Sequence, residues 1–140
     1  ELGEFIQTKG VEVGATTGRK RRCGWLDLAL LKYAVKCSHI TSFALTKVDV
    51  LSGLDVLYVC TGYELKNGKT IDCAYPGIDL REVKPIYQEL RPFKDDFNGK
   101  TLSAELESYI KTIETAVGIP VGIVAFGPER SQIHFRKNYF

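Results

Sequence analysis

The sequence predicts an α/β fold, a mixed sheet with helices packed on it, and three observations carry that prediction. Short β-branched and aromatic runs alternate with stretches of helical periodicity. An Asn-Gly pair, Asn67-Gly68, separates two of those runs. A long apolar series at helical spacing ends on a glycine, Gly118. With 140 residues, 44% of them hydrophobic and 26% charged, the chain has enough apolar material for one core and is not a disordered segment.

Taken in order, residues 1–14 (ELGEFIQTKGVEVG) hold three glycines and only short alternation, which predicts loop or edge-strand material. Leu26 to Cys37 is apolar nearly all round and rich in helix formers, so it predicts a largely buried helix, with Asp27 near its start and Lys32 and Lys36 as its polar points. Ile40 to Thr46 predicts a strand bounded by turn-prone residues. Val56–Tyr63 and Thr70–Tyr75 predict two more, joined by the hairpin turn Lys66-Asn67-Gly68-Lys69. Asp95–Lys100 reads as a loop. Leu102, Leu106, Tyr109, Ile110, Ile113 and Val117 then predict a helix capped by Thr101 or Ser103 and stopped by Gly118. Val121–Phe126 predicts a buried strand that ends in Gly127-Pro128.

Composition removes several classes of function. Nineteen basic against seventeen acidic residues leave a net charge of +2, too little for a surface devoted to nucleic acid. Cys23, Cys37, Cys60 and Cys73 include no C-x-x-C, and with only two histidines nothing has zinc-ligand spacing. The chain does not need disulfide staples, so reduced and mostly buried thiols in a cytoplasmic protein are expected. No apolar run approaches membrane-spanning length and none reads as a signal peptide, so no membrane partner is expected. The chain contains no methionine and begins at Glu1, which reads as part of a longer protein or else as a processed chain.

Three segments offer chemistry. Thr46-Lys47-Val48-Asp49 lies where a predicted strand ends, the usual ligand edge of an α/β sheet. A carboxylate there can accept from the adjacent N1–H and 2-amino donors of guanine, and a lysine stem can lie along the purine face. Ala15-Thr16-Thr17-Gly18-Arg19-Lys20-Arg21-Arg22 sets two hydroxyls and a glycine before four cations, which suits either a solvated basic run or an anion-holding loop. If the loop is extended, alternation sends Arg19 and Arg21 to one side and Lys20 and Arg22 to the other. Ala125-Phe126-Gly127-Pro128-Glu129-Arg130 is a turn after a buried strand.

In this order the three segments resemble the C-terminal third of the adenylosuccinate synthetases. The likeness runs through GATTGRKRRCGWLD (Gly14–Asp27), LTKVDVLSGLD (Leu45–Asp55), VKPIYQEL (Val83–Leu90), the helix from Ser108 and GIPVGIVAFGPER (Gly118–Arg130). It implies that residues 1–140 are the C-terminal part of one larger catalytic domain in a P-loop-related, GTP-dependent ligase of purine biosynthesis. Such a ligase uses Mg²⁺ and GTP to phosphorylate O6 of IMP, then displaces the phosphate with the amine of L-aspartate. It also implies a cytoplasmic homodimer that needs the N-terminal remainder of the same protein and binds no nucleic acid. By position, the substrate loop 14–22 closes over aspartate. Ala15 to Arg21 line it, including Lys20, with donors from Thr16, Thr17 and Gly18 and with Arg19 and Arg21 facing the carboxylates. Arg19 would also touch IMP, and Arg21 would reach the GTP side. The segment 46–49 supplies Lys47, Val48 and Asp49 to guanine, and the turn 125–128 supplies Ala125, Phe126 and Gly127 from its other side. Alanine at 125 replaces a serine common in the family, leaving backbone contacts there.

The family's phosphate loop, catalytic aspartate and catalytic histidine belong to its N-terminal portion. No G-x-x-x-x-G-K-[ST] occurs here, and His39 and His134 sit in no matching motif. The catalytic groups and magnesium ligands are therefore expected outside this chain, which alone should turn nothing over. Two alternatives stand beside this reading. A small basic module using Gly18–Arg22 on RNA or DNA would lose affinity steeply with salt. A GTPase-like regulatory domain would rest on Thr46–Asp49 alone.

Overall fold

The computed structural model describes residues 1–97 and 101–137. Its elements in chain order are α1 (Leu2–Lys9), β1 (Leu26–Asp27), α2 (Leu28–Ser38), β2 (Phe43–Thr46), a 3-10 turn (Val48–Val50), β3 (Leu57–Glu64), β4 (Thr70–Ile71), β5 (Lys84–Leu90), α3 (Ala104–Val117), β6 (Val121–Ala125) and β7 (Ile133–Phe135). They form two mixed sheets. In one, β3 is central, with β1 parallel on one side and β4 and β5 antiparallel to it. In the other, β6 lies between a parallel β2 and an antiparallel β7.

The main core is built where α3 meets both sheets. Leu106, Tyr109, Ile110 and Ile113 fall on one face of α3 and are buried with Leu28, Val48, Leu57, Val59, Phe93, Val121 and Val124. Ser103 caps α3 through its hydroxyl, which accepts from Leu106 N, and Gly118 ends it in the left-handed region (φ 78°), both as the sequence predicts. A second cluster packs Ala29, Cys60, Tyr63 and Ala74. Its polar tie is Asp27, whose Oδ1 caps α2 by accepting from Leu30 N at 2.9 Å, while Oδ2 accepts from the Tyr63 hydroxyl. Burial pushes that hydroxyl well above the ordinary tyrosine range, and the Asp27 contact adds to it.

The structure corrects several expectations. Residues 1–14 are not loop or strand throughout: Leu2–Lys9 form α1, which buries Ile6 and Gln7. Gly3 there is a packing glycine, since a Cβ at that position would come within 2.5 Å of the Cys23 carbonyl oxygen. The helix expected over Leu26–Cys37 begins at Leu28, because Leu26 and Asp27 pair with Val59 and Cys60 as β1. Only Leu28 and Ala29 of α2 are buried and Leu30 is exposed, so the helix is not largely buried. The strand expected from Ile40 starts at Phe43, after His39 closes α2 in the left-handed region. The strand expected over Thr70–Tyr75 ends at Ile71, where Gly62 lets the Ile71 carbonyl close on the backbone: a Cβ on Gly62 would lie 2.3 Å from it. The Asn67-Gly68 hairpin forms, with Gly68 at φ 78° and Asn67 Oδ1 accepting from Lys69 N. The sequence reading lacked β5, β7 and the 3-10 turn. All four thiols are free, but only Cys60 is buried and Cys37 is exposed. The loop expected at Asp95–Lys100 is irregular through Phe97, and its last three residues lie outside the described ones.

Arg136 fastens α3 to the second sheet. Its guanidinium donates to Glu114 at 2.6 Å, to the Val121 carbonyl at 2.8 Å and to Glu107 at 2.9 Å, while Glu114 also accepts from Val121 N. Burial pushes the Glu114 carboxyl up, but Arg136 and the Val121 amide outweigh it and hold the group below the usual glutamate range. A depressed folded value means the contribution is complete above the ordinary glutamate value and is lost as pH falls through the folded one. Urea unfolding from pH 7 to pH 3 is expected to show this. Glu114→Gln should cost about 1–3 kcal/mol at neutral pH and almost nothing at the acid end. A constant difference across that range would remove the assignment.

Candidate functional site

Parallel pairing of β2 with β6 brings two of the sequence-predicted segments together. Phe43, Ala44, Leu45 and Thr46 pair with Val121, Ile123, Val124 and Ala125, so both strands end at the same sheet edge. Thr46 and Ala125 are the last pair, and beyond them lie Lys47-Val48-Asp49 on one side and Phe126-Gly127 on the other. Carboxyl ends of adjacent parallel strands make the crevice where α/β proteins take ligands.

Past Thr46 the chain turns sharply. Lys47 adopts a left-handed conformation (φ 60°, ψ 33°), uncommon for a residue with a Cβ, and the 3-10 turn follows. Val48 is buried at 1% exposure in the main core, so only its backbone is open to a ligand. Core packing of Val48 and Val50 thus fixes the orientation of Asp49 between them. Asp49 Oδ1 is buried yet has no hydrogen-bond partner among the described residues. A buried carboxylate oxygen without a donor is costly and calls for one. Across the crevice, the Phe126 ring stacks on Phe97 with centroids 4.9 Å apart and 13° between planes. That packing occupies the side chain and leaves backbone groups at Ala125–Gly127 for contact. Gly127 lies against the tip of the Gln132 side chain, and a Cβ there would come within 2.2 Å of its Oε1 and displace that amide.

The loop at 14–22 closes on itself. An antiparallel bridge between Val13 and Lys20 forms its base, and Arg21 N donates to the Glu12 carbonyl at 3.0 Å just below. Gly18 N donates to the Gly14 carbonyl and Gly14 N to the Arg19 carbonyl, each at 2.8 Å, with Gly18 at φ 66° where a side chain would be strained. Ala15, Thr16, Thr17, Gly18, Arg19 and Lys20 are all exposed. The Arg19 guanidinium has no partner among the described residues. Arg21 differs: its Nη1 lies 3.0 Å from Glu12 Oε2, which withdraws it from the cationic run.

Glu12 also reaches the other segment, for its Oε1 lies 2.7 Å from Lys47 Nζ, and Lys47 donates to the Gly10 carbonyl as well. One carboxylate therefore joins the 14–22 loop to the 46–49 segment. The Lys47 hydrogen bond, opposed by some burial and aided by Arg21, holds the Glu12 carboxyl below the usual range. Beside this junction a cavity of about 210 Å³ is lined by Gly10, Glu12, Trp25, Thr46, Lys47 and Tyr109 among others. Sequence reasoning missed Glu12. The only available signal was a single acid flanked by valines in the Gly10–Gly14 stretch, two residues ahead of the loop. Among the described residues no cluster of three His, Cys, Asp or Glu side chains is arranged to hold a metal ion, and no helix is long and apolar enough to cross a membrane.

Comparisons with known proteins point to a single family. The family model described as adenylosuccinate synthetase matches residues 1–134. An adenylosuccinate synthetase from Francisella tularensis subsp. tularensis is 58% identical over 142 positions that cover all of this chain and 33% of the relative. The one from subsp. novicida is 56% identical over the same share. Among solved structures, fully ligated adenylosuccinate synthetase from Plasmodium falciparum superposes with a TM-score of 0.87 at 35% identity, covering 97% of this chain and 34% of that one. The chain spans about a third of the length of the relatives it matches.

Proposed function

This chain belongs to the adenylosuccinate synthetase family, and we propose that it supplies the guanine- and aspartate-facing part of an enzyme that joins IMP and L-aspartate at the expense of GTP. In that reaction the γ-phosphoryl group of GTP passes to O6 of IMP, giving GDP. The aspartate amine then attacks C6, phosphate leaves with the C6–O bond, and adenylosuccinate forms.

The observation that carries the reading is the strand-end pair Thr46 and Ala125, with the unpartnered Asp49 Oδ1 beyond it. Guanine would give its N1–H and 2-amino hydrogens to Asp49, lie along the Lys47 stem and meet the Ala125–Gly127 backbone. The loop Ala15–Arg21 would fold over aspartate, whose two carboxylates enter a site already crowded with phosphates. Arg19 would bind a carboxylate and touch IMP, while Arg21 reaches the GTP side. Such cations orient the amine and offset the charge, which is catalysis by positioning. A closed loop also keeps water from the phosphorylated intermediate. Magnesium, which the family's chemistry implies for charge neutralisation on the triphosphate, finds no ligand set among the described residues, and no step here depends on it. Residues 1–140 would act as the C-terminal part of one larger catalytic domain, in a cytoplasmic homodimer.

The full-length protein, given IMP, L-aspartate and GTP, is expected to release adenylosuccinate, GDP and phosphate in equal amounts, and ATP should not replace GTP. No adenylosuccinate by chromatography, or equal rates with ATP, would overturn the proposal.

A further inference from the structure

We propose that Glu12 is a positioning residue that couples the guanine-facing segment to the substrate loop, an inference that rests on the function proposed above. Its carboxylate is 17% exposed and meets two much more exposed cations, Lys47 at 49% and Arg21 at 59%. The two oxygens are divided between them, Oε1 to Lys47 and Oε2 to Arg21. One acid thus sets the spacing of two cations that would otherwise repel, and the group of three keeps a net positive charge for an incoming anion.

The backbone shows that Glu12 is held rather than adventitious. The buried Gln7 of α1 donates from Nε2 to the Glu12 carbonyl and accepts from Glu12 N through its own carbonyl, both at 2.8 Å. From the other side, Arg21 N donates to the same Glu12 carbonyl. Glu12 is therefore fixed from α1 and from the returning arm of the loop together. Lys47, in its left-handed conformation next to Asp49's turn, receives its position from Glu12 and from the Gly10 carbonyl.

Coupling follows from this sharing. When a ligand draws Arg21 away, Glu12 has Lys47 as its remaining cation and holds it more strongly. When guanine fixes Lys47, the orientation of Glu12 is fixed, and so is the site from which Arg21 is released. Binding at either segment then alters the other, and by linkage the effect is reciprocal.

The test is steady-state kinetics of the full-length enzyme with Glu12→Ala and Glu12→Gln, the second keeping the size and one acceptor oxygen. Both KM for GTP and KM for aspartate are expected to rise, about 5- to 30-fold, with kcat within about threefold of the parent. The dependence of aspartate KM on GTP concentration should flatten, and Glu12→Ala should add nothing to the GTP KM of Lys47→Ala. A rise in only one KM, unchanged KM values, or loss confined to kcat and thermal stability in both variants would each overturn the coupling. If the parent enzyme itself depends on neither GTP nor aspartate, the proposed function fails instead, and the coupling with it.

Discussion

Arg19→Leu in the full-length enzyme is expected to lower kcat/KM for L-aspartate by about 10²–10³-fold, the loss of a charge-assisted, fork-like contact worth roughly 3–4 kcal/mol. The size of the effect comes from the ligand and not from the fold. Arg19 is exposed, sits in a loop closed by backbone hydrogen bonds at Gly14 and Gly18, and has no ion pair among the described residues to lose. Thermal unfolding and circular dichroism should therefore match the parent. The use of IMP should suffer as well, whereas the KM for GTP should stay within about threefold, since no step asks Arg19 to touch that nucleotide. Arg22→Ala is the internal control: exposed and outside the Ala15–Arg21 set, it should leave aspartate kinetics within about threefold. Aspartate kcat/KM close to the parent value in Arg19→Leu would remove the loop from the substrate site.

Asp49→Asn should strike the other substrate as hard. Two hydrogen bonds from guanine to one carboxylate, at about 1.5–3 kcal/mol each, give an expected fall of roughly 10²–10⁴-fold in kcat/KM for GTP. Asparagine offers one acceptor and one donor, which suits xanthine, where a carbonyl replaces the 2-amino group. Selectivity between GTP and xanthosine triphosphate should accordingly invert, measured as the ratio of their kcat/KM values. Stability gives a second reading. Oδ1 is buried without a partner, so the neutral side chain should leave the ligand-free fold as stable as before. An unchanged preference for GTP would defeat the guanine assignment at Asp49.

What could be read from the sequence was what local signals encode. The α3 helix has its cap, its apolar face and its glycine stop within sixteen residues, and the Asn67-Gly68 turn specifies its own geometry. By contrast, β5 contains Pro85 and mostly exposed side chains, Tyr87 being 52% exposed, so nothing local marks it as a strand. It becomes one because β3 offers it a ladder from Leu57 to Glu64. The α1 helix depends likewise on Gly3 fitting under the Cys23 carbonyl, a contact invisible in a string of letters. At the site, Lys47 and Asp49 were legible through their order after a strand, and the 14–22 loop through its hydroxyl, glycine and arginine content. Glu12 was not, because its meaning is that two cations distant in the chain meet on it.

The pairing of Thr46 with Ala125 sets a schedule for folding as well as a place for a base. The two residues stand at opposite ends of a long intervening stretch that includes β3, β4, β5 and α3. Closing so large a loop costs entropy before the ladder returns any of it, and contacts of such high sequence separation form slowly. During synthesis the 46–49 segment leaves the ribosome well ahead of its partner strand. The crevice between them exists only once β6 has emerged, so nucleotide recognition would be among the last properties the growing chain acquires.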